Sequence, residues 1–169
     1  MIPDKVETDT VDQKQVSDVN ALNFEHHLFT DILVPVNGKD DGWHALEQAI
    51  FVAQKENATL HGLHVTSTSI TIEDPALLQI KERFKRQCKE AGIDGDLTIT
   101  QGEIVDQICT YATGPDLVIT NLSYPTQDRF LAKLSAGFHD LVRRCPRPLF
   151  VAPQSSRNIH SALLAFDGS

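Results

Sequence analysis

Asp31-Ile-Leu-Val-Pro-Val-Asn-Gly38 is an apolar run, Ile32 to Val36, closed by a small polar residue and a glycine. Five apolar residues with no alternation predict a strand buried on both faces, as in the middle of a parallel sheet. The carboxyl end of such a strand opens onto the crevice where open α/β sheets take their ligands. A near copy, Ala162-Leu-Leu-Ala-Phe-Asp-Gly-Ser169, closes the chain. One complete unit therefore lies between two strand openings.

Downstream of the first strand, helical and strand patterns alternate. Asn37 to Gly42 is a polar turn in which Asp40 or Asp41 is placed to cap a helix. Trp43, Leu46, Ala49, Ile50 and Ala53 recur at helical spacing and predict a helix over 43–56. Thr59 to Thr66 reads as the second strand. Its His61 and His64 fall on opposite faces, which argues against a shared metal and for partly buried or edge histidines. Asp74-Pro75 starts a long helix as N-cap and first helical residue. Leu77, Ile80, Phe84, Cys88 and Ala91 form its buried stripe, and Gly92 ends it. Lys81, Arg83, Lys85, Arg86 and Lys89 interleave with Glu82 and Glu90, the pattern of a solvated face.

Asp96 to Gln101 alternates like an edge strand, and Ile104, Val105, Ile108 and Ala112 predict a short helix. Asp116 to Thr120 is another buried strand, opening into 121–128. Leu131, Leu134, Phe138, Leu141 and Val142 mark the next helix, with Arg143 and Arg144 in its last turn, where positive charge suits the dipole. Pro146 and Pro148 stop it before a final strand, Leu149 to Ala152. The order β-α-β-α-β-α-β-α-β predicts an α/β domain: an open, doubly wound, five-stranded parallel sheet with helices on both faces. The domains are expected at 1–28 (acidic leader), 29–152 (the α/β domain), 153–160 (linker) and 161–169 (the opening strand of a second domain).

Composition bounds the function. The 169 residues carry a formal net charge of −8, of which residues 1–31 contribute −5, leaving a nearly balanced body. That distribution offers no electrostatic footprint for nucleic acid or an anionic membrane. No apolar run approaches the roughly 20 residues of a membrane helix. Cys88, Cys109 and Cys145 are an odd, scattered set without a C-x-x-C pair, unlike a secreted disulfide scaffold or zinc ribbon, so a reducing cytoplasm is the expected location. His26-His27 is expected to be a solvated approach to the first strand. Ser135 and His139 stand one helical turn apart, but Asp140 points elsewhere and no G-x-S-x-G elbow exists. Neither a P-loop nor G-x-G-x-x-G is present. The expectation is a protein that is not an enzyme.

Five segments in order, 32–38, 58–65, 102–108, 116–119 and 141–152, make residues 29–152 resemble a universal stress protein domain. The closing Leu163 to Ser169 resembles the opening strand of that family even better, so the chain looks like the first domain of a tandem member. ATP-binding members carry an Asp after the first strand, and after the fourth G-x-x-G, nine residues, then G-[ST]. Glycines there let backbone N–H groups reach phosphate oxygens. Here Asn37 replaces the Asp, Asn121-Leu-Ser-Tyr-Pro125 has no glycine, and Pro125 has no N–H to donate. Ser135-Ala136 or, with a short gap, Gly137-Phe138 falls opposite G-[ST], and neither alignment restores the motif. The resemblance thus implies a degenerate nucleotide motif, no cofactor, and a structural or regulatory role in stress response. The alternative is an ATP- or AMP-binding domain, with or without Mg, using Val36, Asn37, Gly38, Val65, Asn121, Ser123, Ser135, Ala136 and Gly137. An unpaired last strand must be covered. The resemblance implies that Leu149, Phe150, Val151 and Ala152 pair with a second such domain or a second copy of the chain, giving a homodimer.

Overall fold

The computed structural model describes residues 27–67, 74–121 and 131–152, the side chains of 131–136 excepted. Nine elements follow in strict alternation: β1 (Asp31–Pro35), α1 (Asp40–Glu56), β2 (Thr59–Thr66), α2 (Pro75–Glu90), β3 (Gly95–Gln101), α3 (Ile104–Tyr111), β4 (Leu117–Asn121), α4 (Leu131–Arg144) and β5 (Leu149–Ala152). The strands form one parallel sheet in the order β3-β2-β1-β4-β5. The expected α/β architecture is the observed one, and β3 takes the edge its alternation predicted. The leader up to residue 26, the linker and the second opening strand lie outside the described residues.

Because β1 is apolar on both sides, it joins two cores. Ile32 and Val34 point to one face and meet Trp43, Leu46, Ala49 and Ala53 of α1, together with Phe84 and Cys88 of α2. Leu33 points to the other and meets Leu63, Ile108, Val118 and Leu141. Removing this apolar surface from water is the main stabilising force, at about 25 cal/mol per Å². Trp43 and Arg83 add a contact between α1 and α2, the guanidinium lying 4.2 Å from the ring centre. Arg83 is therefore half-buried over Trp43 and not part of a wholly solvated face, whereas Lys81, Lys85, Arg86 and Lys89 are exposed.

Local signals set most boundaries. Asp74 caps α2, its carboxylate accepting from the Ala76 N–H at 2.9 Å with Pro75 at the first helical position. Gly92 takes φ +69° after α2, the left-handed value expected of it. One helix start differs from expectation, and another gains a cap that the spacing had not named. α1 starts at Asp40, not residue 43, its cap position is Lys39 with no side-chain bond, and Asp40 and Asp41 lie inside the first turn. Acids there still oppose the positive end of the helix dipole. α3 is capped by Glu103, whose carboxylate accepts from the Val105 N–H at 2.8 Å and the Asp106 N–H at 3.4 Å. Of the apolar residues that mark α3 and α4, Ile104 and Val142 are more than half exposed, because their helices present Ile108 and Leu141 to the sheet instead.

Candidate functional site

The strand order fixes where a crevice must lie. From β1 the chain winds outward through β2 to β3, then returns to β4 on the other side of β1 and continues to β5. The winding reverses between β1 and β4, and their carboxyl ends flank the switch point where α/β sheets take ligands. Val36, Asn37 and Gly38 follow β1, Asn121 ends β4, Val65 lies near the end of β2, and the start of α1 sits between them. The structure thus gathers Val36, Asn37, Gly38 and Asn121 around one edge. Ser123 lies outside the described residues, as do the side chains of Ser135 and Ala136, while Gly137 lies within α4.

Three short polar residues knit this edge together. Asn37 Oδ1 accepts from the Lys39 N–H at 2.9 Å, and Asn37 Nδ2 donates to Asp41 Oδ1 at 3.0 Å. The same carboxylate oxygen accepts from the Gly42 N–H at 3.0 Å. From across the switch point, Asn121 Nδ2 donates to the Asp41 carbonyl, again at 3.0 Å. Two N–H groups at the start of α1, which would otherwise face an incoming anion, are already taken by side chains. Asp40 and Asp41 add negative charge at the same place. Asn121 Oδ1 is buried with no hydrogen-bond partner among the described residues.

Two glycines make this packing feasible. Gly38 adopts φ +78°, and a methyl group on it would lie 2.8 Å from Ile80 Cδ1, so α2 closes directly over the turn. A Cβ on Gly42 would stand 2.4 Å from Asn37 Oδ1 and displace the side chain that holds Lys39. Below the turn, buried His64 supports it: Nδ1 lies 2.7 Å from the Val36 carbonyl. A carbonyl can only accept, so Nδ1 carries the proton. His61, on the other face of β2, serves the opposite edge of the sheet, its Nε2 donating to Asp31 Oδ1 at 2.7 Å. The two histidines are separate, as their odd spacing implied.

Sequence reasoning missed Asp41 as the residue that joins β1 to β4, reading it as a cap. It also missed His64 as the support of Val36. The available signal was position: His64 lies near the carboxyl end of β2, level with the turn after β1. A recess of about 330 Å³ lies at the amino ends of β2 and β3, lined by Gln54, Asn57, Thr59 and Asp94, away from the switch point. Among the described residues no group of three or more His, Cys, Asp or Glu could hold a metal, and no helix is long and apolar enough to cross a membrane. His139 and Asp140 are exposed on α4.

A model of the universal stress protein family matches residues 29–153. Among solved structures, a universal stress protein in complex with cAMP is similar with a TM-score of 0.63 at 18% identity, covering 76% of this chain and 99% of that one. A universal stress protein family member from Arabidopsis thaliana with AMP bound is similar with a TM-score of 0.52 at 23% identity, covering 73% and 90%. One from Archaeoglobus fulgidus DSM 4304 has a TM-score of 0.60 at 22% identity, covering 74% of this chain but only 44% of that one. The curated proteins yield no match. With the family model spanning its whole five-stranded sheet, the chain belongs to the universal stress protein family.

Proposed function

We propose that this domain acts without catalysis, as a structural or regulatory partner in stress response, and that its nucleotide crevice is degenerate. The observation that carries the reading is the bonding of Asn37, Asp41 and Asn121. Asn37 and Asp41 bond each other and take the Lys39 and Gly42 N–H groups at the start of α1, and Asn121 donates to the Asp41 carbonyl, where a nucleotide would need open donors. Partner pairing supplies the function in place of a ligand. β5 pairs with β4 on one side, and its other side offers strand hydrogen-bonding groups to a further strand. Leu149, Phe150 and Val151 are half-buried there, while Ala152 is buried. The partner is a second universal stress protein domain or a second copy of this chain. The Archaeoglobus fulgidus relative, of which this chain covers only 44%, supports a tandem arrangement.

Sedimentation velocity at micromolar concentration tests the pairing. Phe150 and Ala152 belong to the α1 side of the core and Leu149 to the other, leaving Val151 as the strand residue outside both clusters. The wild-type chain is expected to sediment as a dimer and Val151→Lys as a folded monomer. A wild-type monomer contradicts the proposal.

A second reading is favoured by one observation, the unpartnered Asn121 Oδ1 in the crevice. Relatives carry AMP or cAMP, and an adenine amino group could donate to that oxygen. Under this reading ATP or AMP binds between Asn37 and Asn121. Ligand at a hundred times its dissociation constant would then add about 2.7 kcal/mol of stability.

A further inference from the structure

α3 and the segment that leads from α4 into β5 are fastened at two points. At one, Arg144 Nη2 donates to Asp106 Oδ1 at 2.5 Å. At the other, Arg147 Nε donates to the Ala112 carbonyl at 3.3 Å and Nη2 to the Thr113 carbonyl at 2.9 Å. Asp106, Cys109 and Ala112 are three residues apart and share one side of α3. Cys109 therefore lies between the two fastenings on one partner, and Cys145, between Arg144 and Arg147, lies there on the other. Both cysteines are half-buried, both are free thiols, and both pack against the same apolar cluster around Leu63, Ile108 and Leu141.

We propose that Cys109 and Cys145 are a redox-active pair whose thiols join as a disulfide in the presence of hydrogen peroxide. The Cys145 thiolate attacks the peroxide O–O bond; an S–O bond forms, the O–O bond breaks, and the departing hydroxide takes a proton to become water. Cys109, giving up its proton, then attacks the sulfenyl sulfur; the S–S bond forms, the S–O bond breaks, and the departing hydroxide takes that proton and leaves as water. Two electrons pass from the two sulfurs to one peroxide, and nothing else is consumed.

The order of the steps follows from the surroundings of Cys109. Burial, and next the neighbouring Cys145 charge, push its thiol up, while Arg144 acts in the opposite direction. Conversion of Cys145 to the uncharged sulfenic acid removes that repulsion, while Arg144 continues to act against the burial and the Asp106 charge that also push the Cys109 thiol up. Cys88 provides an internal contrast. It is buried between α2 and the sheet and pushed up to about 11, chiefly by burial, so its thiolate is scarce near neutral pH. The proposal is independent of the reading of the nucleotide crevice and of the pairing edge.

Treatment of the folded wild-type chain with hydrogen peroxide, alkylation in denaturant and non-reducing peptide mapping test it. The expected product is an intrachain link between the Cys109 and Cys145 peptides, two hydrogens lighter than their sum and reversed by dithiothreitol. Cys88 is expected to be recovered alkylated, and Cys88→Ala to give the same link. Sulfinic or sulfonic acid at Cys145 with Cys109 recovered as a free thiol would overturn the proposal, as would links between chains in place of the intrachain one.

Discussion

Gly62 sits where β2 passes beneath α2, and its neighbours leave no room for a methyl group: a Cβ would lie 2.6 Å from both Phe84 Cε2 and Leu97 Cδ1. Phe84 is fully buried and cannot turn aside. Gly62→Ala is therefore expected to cost about 1–3 kcal/mol as overpacking, read from urea unfolding. At the amino edge of the sheet, two carboxylates tie β1 to its neighbours. Asp31 is held below the ordinary carboxylate value mainly by the hydrogen bond from His61, then by Thr30. Asp116 is held below it by the Thr30 backbone N–H and hydroxyl, at 3.0 and 2.9 Å. A carboxyl whose folded pKa is depressed binds its proton more readily in the unfolded chain. Its contribution is complete above the unfolded value of about 3.9 and is lost as pH falls through the folded one. Asp116→Asn is expected to lower the urea midpoint at pH 7 and to flatten its decline below about pH 4. An unchanged acid limb would show that the Thr30 bonds do not favour the charged form.

The second helix offers the cleanest test of an element boundary, since a single side chain closes its first turn. Asp74→Ala removes the acceptor for the Ala76 N–H and is expected to cost about 1 kcal/mol, with Asp74→Asn or Asp74→Ser recovering most of it in the same unfolding measurement. This boundary was legible because Asp-Pro is a local signal, needing nothing from the rest of the chain. Strands were legible for a related reason: Ile32–Val36 and Leu117–Ile119 are apolar on both faces, which only a sheet covered by helices on both sides accommodates. The start of α1 was less legible because its turn is organised at long range. Asp41 reads locally as a cap, but in the fold it accepts from Asn37 and Gly42, while Asn121 reaches its carbonyl from eighty residues away. Ile104 and Val142 mark their helices correctly but lie exposed on them, since helical spacing alone does not say which of two adjoining apolar residues turns inward.

Across the whole molecule, β1 divides two cores and also reaches the point where the winding reverses, so stability and the candidate site share one strand. That a crevice lies between Asn37 and Asn121 followed from the sequence, because topology alone puts the ends of β1 and β4 together. Who occupies it did not follow from topology. The answer depends on side chains that either bind each other or leave donors free. Under the proposed function, the crevice is held by the bonds of Asn37, Asp41 and Asn121 and the domain works by pairing. Isothermal titration calorimetry of the chain with Mg-ATP tests this most directly. No saturable heat of binding is expected, and a saturable one-site isotherm that weakens on Asn121→Ala would contradict the proposed function.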